Sequence, residues 1–139
     1  MRNRTKAREC ALKILYSVDV RKDPPLECSG IFWESHQFIK GEIRKFSELL
    51  VEGVFNNKDF IDSTISKYAT NWQIKRMPII DRNILRIATF EILLSSDIPP
   101  KVSINEAIEM AKRYGDKDSG KFVNGVLDKI NKSEKKAVS

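Results

Sequence analysis

The apolar residues of this 139-residue chain recur at intervals of three and four, the spacing that places them on one face of a helix. These stripes cover residues 7–18, 43–54, 61–72, 104–114 and 123–130. No segment shows the sustained period-two alternation of a half-buried strand. Together with one further segment around residues 79–93, the pattern predicts an all-α fold, with three helices before Gln73 and three after it.

That further segment, PIIDRNILRIATFEILLSS, is apolar on most sides and follows Pro78, a residue suited to a first helical turn. A helix of this kind needs neighbours on several faces. The sequence therefore predicts that it forms the centre of the fold.

Several residues predict how the helices begin and pack. Thr5 has the chemistry of an N-cap for the first helix. Ser103 and Glu106 have the spacing of a capping box. Gly125 lies inside the last helix, where a glycine is typical of close approach by another helix.

The domain organisation follows from the breaks between stripes. The stretch RKDPPLECSG combines two prolines with a glycine, so we predict a loop from about residue 21 to residue 40, with a short turn around residues 31–38. The chain is long enough to form one domain with its own core. We predict subdomains at about residues 1–72 and 73–131, and a flexible tail at residues 132–139.

Positive charge is concentrated at the N-terminus. The formal net charge is +6, and residues 1–22 hold seven lysines and arginines against two acids. The first of these cations, here called the basic arm, are Arg2, Arg4, Lys6 and Arg8. The helix macrodipole disfavours cations at a helix start by about 0.3–1 kcal/mol each. A basic terminal arm is more typical of a nucleic-acid contact than of a solvated surface, so we predict that these residues contact phosphates.

Several functional classes find little support. GDKDSGKF has the glycine and lysine spacing of a nucleotide-binding loop, but Phe122 stands where a magnesium-binding hydroxyl is needed, and no strand precedes it. His36 is the single histidine and lies in the predicted loop. Cys10 and Cys28 are too few for a zinc site or a disulfide framework. We predict a protein that is not an enzyme and holds no metal or cofactor.

The chain also lacks an apolar run of the ~18 residues that a membrane span requires. No uninterrupted apolar segment follows the basic N-terminus, as it would in a secretory signal. We therefore expect a cytoplasmic protein.

Phe122 is the best candidate for stacking on an RNA base. It lies in the first turn of the last predicted helix, slightly off the apolar stripe. Unpaired RNA bases stack on aromatic side chains of this kind. The spacing alone fits a core position equally well.

Four stretches carry a family resemblance: KARECALKILYSVDV, FSELLVEGVFNNKDFIDSTI, DRNILRIATFEIL and VSINEAIEMAKRYGDKDSGKFVNGVLDKI. The segments VSINEAIEMAK and KFVNGVLDKI are the most specific, because helical periodicity does not dictate their polar residues. In these stretches the chain resembles the NusB family of bacterial transcription antitermination factors. The resemblance covers nearly the whole chain, apart from about residues 21–40 and the tail.

The resemblance implies an all-helical fold of two three-helix subdomains and a function in transcription. NusB proteins pair with NusE, a small-subunit ribosomal protein, and the pair binds the boxA element of nascent RNA. The complex helps RNA polymerase to read through terminators, notably in ribosomal RNA operons. For this chain, the resemblance therefore implies boxA RNA, NusE and the RNA polymerase antitermination complex as partners.

The resemblance also assigns roles to individual residues. Residues that match the RNA side of the family are Arg4, Lys6, Arg8, Asp118 and Phe122. Tyr16 and Asp81 match positions that face NusE, and members of the family often have Glu where this chain has Asp81. From the residues alone, Tyr16 also fits partial burial, and Asp81 also fits a role in complementing the helix dipole.

Two other functions stay open at this point. A NusB-like domain also precedes the catalytic domain of certain ribosomal RNA cytosine methyltransferases. A protein-interaction adaptor is the third possibility, and it predicts that the basic arm is dispensable. The sequence also leaves open whether the free protein is a monomer or a homodimer.

Overall fold

The structure is a computed structural model that describes residues 2–39 and 41–136, with the side chain of Arg2 outside the described set. Its helices are α1 (Arg2–Arg21), α2 (Pro25–Ser35), α3 (Gly41–Asn56), α4 (Lys58–Tyr68), α5 (Ile79–Leu94), α6 (Pro100–Tyr114) and α7 (Ser119–Ser133). A short 3-10 turn, Ile74–Arg76, precedes α5. Every regular element in the described residues is helical, so the all-α prediction is confirmed. None of the described helices combines the length and apolar character needed to cross a bilayer.

Helix α5 lies at the centre of the fold, as its apolar character on most sides predicts. Twelve of its sixteen residues are buried. It packs against α1, α3, α4, α6 and α7. Since α1, α6 and α7 all pack against α5, this helix links the elements that carry the candidate functional residues.

The basic arm and the start of α7 lie at opposite ends of α5. At one end, Arg4 of α1 pairs at 3.5 Å with Asp97, which follows the C-terminus of α5. At the other end, the Ser119 hydroxyl at the start of α7 donates a 2.7 Å hydrogen bond to Asp81 in the first turn of α5. At a rise of 1.5 Å per residue, these two contacts are about 20 Å apart along α5.

The predicted loop at residues 21–40 contains the helix α2, so four α-helices precede Gln73 instead of three. Pro25 occupies the start of α2, where its missing N–H leaves no helical hydrogen bond unmade. Gly30 lies within the helix, and Cys28 and Trp33 anchor α2 in the core. The loop prediction is wrong because it treated the proline pair as a helix terminator when it is a helix start.

Both predicted capping arrangements are also wrong. Helix α1 is already helical from Arg2, so Thr5 is not its N-cap. Helix α6 begins at Pro100, so Ser103 and Glu106 lie inside it. Their side chains bond to other helices: Ser103 Oγ donates to a Glu91 oxygen at 2.7 Å, and Glu106 Oε1 accepts a 2.6 Å bond from Thr5 Oγ1.

The C-terminal segment is tied to the body of the protein beyond the predicted tail boundary. Helix α7 continues to Ser133. Glu134 then accepts hydrogen bonds from Tyr68 Oη at 2.5 Å and Lys67 Nζ at 3.0 Å, and Lys136 Nζ donates to the Ser95 carbonyl at 2.6 Å. These contacts involve residues up to 136, and residues 137–139 of the predicted tail lie outside the described set. The tail and the division into two subdomains stay predictions.

A close approach between α3 and α5 supplies the first test of the packing. A methyl group added at Gly53 would overlap the ring of Phe90, whereas one added at Gly30 would meet nothing within 4 Å. We expect Gly53→Ala to lower the free energy of unfolding by roughly 1–3 kcal/mol, because overpacking outweighs the better helix propensity of alanine. Gly30→Ala should leave it unchanged or raise it by up to about 1 kcal/mol. Urea unfolding of both variants checks this, and equal stabilities would contradict the packing.

Candidate nucleic-acid interface

Two residues of the basic arm present charge to solvent. Lys6 is exposed on α1. The Arg4 guanidinium is partly exposed; its central carbon lies 4.4 Å from the centroid of the Phe46 ring, and it pairs with the exposed Asp97. Surface ion pairs of this kind contribute about 0–1 kcal/mol, so a phosphate can displace Asp97 at little cost. Both residues stay predicted RNA contacts, whereas the side chain of Arg2 lies outside the described set.

Arg8 does not fit the predicted phosphate contact. Its side chain is 1% exposed. Its Nε and Nη2 donate to the two carboxylate oxygens of Glu91 at 2.8 Å each, and its Nη1 donates to Glu106 at 3.1 Å. Burial alone would lower the pKa of this guanidinium, but the hydrogen bonds and charges of the two glutamates outweigh it and raise the pKa. We therefore remove Arg8 from the RNA-contact set, because it joins α1 to α5 and α6 inside the protein.

Asp81 is buried as well, at 5% exposure, and so does not present the acid that a basic partner would meet. Its Oδ1 accepts the hydrogen bond from Ser119 Oγ, and Ser119 Oγ accepts a 3.0 Å bond from the Asp116 N–H. Burial raises the pKa of the Asp81 carboxyl, the Ser119 bond opposes this shift, and the charge of Asp116 adds to it. Asp81 holds the turn that leads into α7, which corrects the expectation that it faces NusE.

Tyr16 lies on the outer side of α1. Its side chain is exposed, and so is that of Val20, one helical turn further along. Residues four apart share a face of a helix, so the two form a small exposed apolar patch. Tyr16 stays a predicted partner contact.

The start of α7 carries the two other predicted RNA residues. Asp118 is the exposed residue before the first turn of α7, and its N–H donates a 2.9 Å hydrogen bond to Asp116 Oδ1. Phe122 is partly buried and packs against the core. It also lines a surface cleft that we call the α4–α7 cleft. The spacing of Phe122 in the sequence fitted either a core residue or a surface residue that stacks on RNA. In the structure one part of the side chain contacts the core and another part lines the surface cleft.

Lysines that the sequence analysis did not select surround this end of α7. A shallow hollow of about 460 Å³ between α6 and α7, here called the basic hollow, is lined by three lysines and one acid, Lys112, Lys117, Lys121 and Asp116, together with Asn124. The sequence signal was available, since these lysines precede or follow Gly115 and Gly120 in one polar segment. From this segment only Asp118 and Phe122 were predicted as RNA contacts, and its lysines were not.

Exposed cations also lie between the basic arm and the basic hollow. Lys13 is seven residues after Lys6 on α1, so the two share a helix face. Lys13 Nζ lies 5.8 Å from the centroid of the Tyr114 ring at the end of α6. Arg113 of α6 pairs with Glu9 of α1. Lysines and arginines therefore occur along the side formed by α1, α6 and the start of α7, where Arg113 and Lys112 also pair with the acids Glu9 and Glu109.

Comparison with known proteins gives a consistent result over nearly the whole chain. A family model described as the NusB family matches residues 5–132. The transcription antitermination protein NusB of Desulforapulum autotrophicum is 48% identical over 131 residues, which cover 94% of this chain and 92% of that protein. The structure of T. maritima NusB is 39% identical, with a TM-score of 0.86 over 96% of this chain and 92% of that chain.

A structure of the antitermination factors NusB and NusE in complex with dsRNA is also similar. Its matched chain is 31% identical, with a TM-score of 0.88 over 96% of this chain and 98% of that chain. The family model, the curated relative and the solved structures agree over nearly the same residues. The chain therefore belongs to the NusB family.

Proposed function

We propose that this protein is a cytoplasmic transcription antitermination factor that binds single-stranded boxA RNA together with NusE. In this role it promotes read-through by RNA polymerase, notably of ribosomal RNA operons. It acts by binding and not by catalysis. The observation that carries the proposal is the row of exposed cations from the basic arm to the basic hollow, which ends beside the aromatic ring of Phe122.

The charge distribution supports an RNA partner. Lys6 and Arg4 at one end, and Lys112, Lys117 and Lys121 at the other, present ammonium and guanidinium groups without a buried ion pair. Such groups neutralise phosphates and release counterions, which gives much of the affinity of nucleic-acid binding. The aromatic ring at the end of this row suits an unpaired base better than a stacked duplex.

A protein partner is supported by the relatives and by the exposed patch of Tyr16 and Val20. The similar solved complex contains NusB, NusE and RNA. The patch of Tyr16 and Val20 lies in the C-terminal half of α1, so a protein bound there leaves the basic arm accessible to RNA. The two partners can therefore occupy different parts of one helix.

The function is tested by titrating a fluorescent boxA RNA and a scrambled RNA of equal length at several salt concentrations, with and without NusE. We expect tighter binding to boxA, and a further gain when NusE is present. For the double variant Arg4→Ala, Lys6→Ala, we expect the slope of log affinity against log salt to decrease by about 1.4, at roughly 0.7 for each lost phosphate contact.

Lys58→Ala is the matched control, because Lys58 is an exposed cation at the start of α4 with no role in the proposed interface. It should leave the salt slope unchanged. Equal binding of both RNAs with no effect of NusE would contradict the antitermination role. An unchanged slope in the double variant would remove the basic arm from the interface and favour a protein-interaction adaptor.

A further inference from the structure

A groove between the start of α2 and the C-terminal half of α3 has a largely apolar lining and a volume of about 280 Å³. We call it the α2–α3 groove. Its apolar residues are Pro24, Pro25, Leu26, Val51 and Phe55. Leu26 is 85% exposed and Phe55 is 52% exposed. Single exposed apolar residues are normal on a protein surface, but a group of them around one concave site is typical of a binding groove.

Both walls of the α2–α3 groove are fixed by the core. On α2, the Cys28 N–H donates a 3.1 Å hydrogen bond to the Pro24 carbonyl, and the Cys28 side chain is buried. On α3, the side chains of Leu50, Val51 and Val54 are buried, so the wall that Val51 forms cannot turn away. A site that is fixed in advance loses less conformational entropy when a partner binds.

The charged residues of the α2–α3 groove are acidic, in a chain whose net charge is +6. Glu48 and Glu52 lie one helical turn apart on α3 and both line the groove, whereas the described lining residues include no lysine or arginine. Glu48 has only a surface pair with Arg44, at 3.5 Å. Two acids at one site repel phosphates and attract lysines and arginines. The charge therefore favours a basic protein segment over a nucleic acid.

The α2–α3 groove is also distinct from the surfaces that the proposed function uses. Of the described residues that line it, none belongs to the basic arm, the basic hollow or the patch of Tyr16 and Val20. A second copy of the chain does not supply a suitable segment through its basic arm, because Leu12, Ile14 and Leu15 beside the arm are buried. The chemistry of the groove therefore fits a further protein.

We propose that the α2–α3 groove binds a segment of a basic protein other than NusE. A leucine or phenylalanine of this segment contacts Leu26 and Phe55, and lysines or arginines that flank it pair with Glu48 and Glu52. Apolar anchors of this kind give affinity in grooves, and charged residues at the rim give specificity. This inference goes beyond the proposed function, because it gives the protein a contact surface in addition to those for RNA and NusE.

The direct test is a fluorescence anisotropy titration of the full chain with a labelled helical peptide of about 15 residues. The peptide carries leucine and phenylalanine on one face and lysines beside them. One control peptide replaces the apolar residues with serine, and the other replaces the lysines with glutamine. We expect saturable binding of the first peptide that weakens with salt, and about tenfold weaker binding of both controls. Equal binding of the three peptides would overturn the proposal.

A pair of leucine variants tests whether the peptide occupies the groove. Leu26→Ala removes an apolar contact of the groove, and Leu49→Ala makes the same change at a half-exposed position of α3 outside it. Because Leu26 is largely exposed, its replacement should leave the melting temperature unchanged. We expect Leu26→Ala to weaken peptide binding by about tenfold and Leu49→Ala to leave it unchanged. Equal binding by both variants would place the peptide elsewhere and overturn the proposal.

A second pair of variants tests the charge of the groove. The double variant Glu48→Gln, Glu52→Gln removes its two acids, whereas Glu109→Gln, Asp128→Asn removes two exposed acids from α6 and α7. We expect the first to weaken binding of the lysine peptide and to reduce its salt dependence. The second should bind as the unchanged chain does. The same loss in both double variants would assign the attraction to net charge and not to the groove.

Competition identifies the occupant. Saturating NusE and boxA RNA should leave the affinity for the peptide unchanged, whereas displacement of the peptide by NusE would make the groove part of the NusE surface and overturn the proposal. Analytical ultracentrifugation tests the second copy. Self-association that Leu26→Ala abolishes would assign the groove to a homodimer and also overturn it. If the chain binds the peptide in the groove but neither RNA nor NusE, the proposed function fails and this inference stands.

Discussion

Replacing Arg8 with methionine is expected to lower the free energy of unfolding by about 3–5 kcal/mol, one of the two largest effects that we predict. Methionine retains much of the apolar stem of the side chain but removes the guanidinium. Glu91, which is 1% exposed, would then keep only the Ser103 hydroxyl as a partner for its carboxylate. The cost comes from leaving a buried charge without its counter-charge. Urea unfolding monitored by circular dichroism measures it.

Lys6→Met is the control, since it makes a similar replacement on the same helix at an exposed position. Its stability should change by no more than about 0.5 kcal/mol. The double variant Arg8→Met, Glu91→Gln removes both charges and should recover part of the loss, and this coupling identifies the ion pair as the cause. If Arg8→Met were as stable as Lys6→Met, the buried assignment would be wrong and Arg8 would return to the candidate RNA contacts.

The role of Arg8 could not be predicted from the sequence. A count of charges along the first helix treats Arg2, Arg4, Lys6 and Arg8 alike. The partners that separate Arg8 from the others are Glu91 and Glu106, which lie more than 80 residues away in the chain. Local spacing contains no information about such partners. The charge cluster was identified correctly, but the role of one member depended on the tertiary fold.

The elements that depend on local periodicity were predicted well. The central position of α5 follows from apolar residues on most of its sides, and this requires no knowledge of its neighbours. Helix α2 was missed because a proline pair has the same local signal at a helix start as after a helix end. The side chains that bury Cys28 and Trp33 decide between the two, and these contacts are long-range.

The candidate site also contains some residues that could be predicted from the sequence and others that could not. Phe122 could be selected from its place in the first turn of α7. The cleft beside it could not be predicted, because Trp72 on its other wall comes from a turn 50 residues earlier in the chain. At Gly125, where the sequence predicted close approach by another helix, an added methyl group would meet nothing within 4 Å, so that prediction is wrong. Asp81 was assigned to the partner surface because it matches a family position that faces NusE. Its hydrogen bond to Ser119 became evident only when α5 and α7 were seen side by side.

The second large effect is expected at Arg86, which joins three helices. Its Nε and Nη2 donate to the carboxylate of Asp62 in α4 at 2.8 and 3.0 Å, and its Nη1 donates to Asp19 in α1 at 3.0 Å. The Arg86 side chain is buried, so Arg86→Met removes the counter-charge of Asp62 and leaves Asp19 with Arg82, at 3.0 Å, as its remaining ion-pair partner among the described residues. We expect a loss of about 3 kcal/mol or more at neutral pH. Lys132→Met, which breaks only an exposed pair with Asp128, should cost no more than about 0.5 kcal/mol.

The pH dependence of this loss distinguishes electrostatics from packing. Burial alone would raise the pKa of Asp19, but the hydrogen bond from Asn83 and the charges of Arg86 and Arg82 outweigh it and lower the pKa. A carboxyl with a lowered pKa stabilises the fold above its unfolded pKa, and this stability is lost as the pH falls through its folded value. The difference between the unchanged chain and Arg86→Met should therefore be largest near pH 7 and shrink as Asp19 is protonated in acid. A difference that stays constant with pH would assign the effect to lost packing of the arginine stem, and urea unfolding repeated across this pH range separates the two.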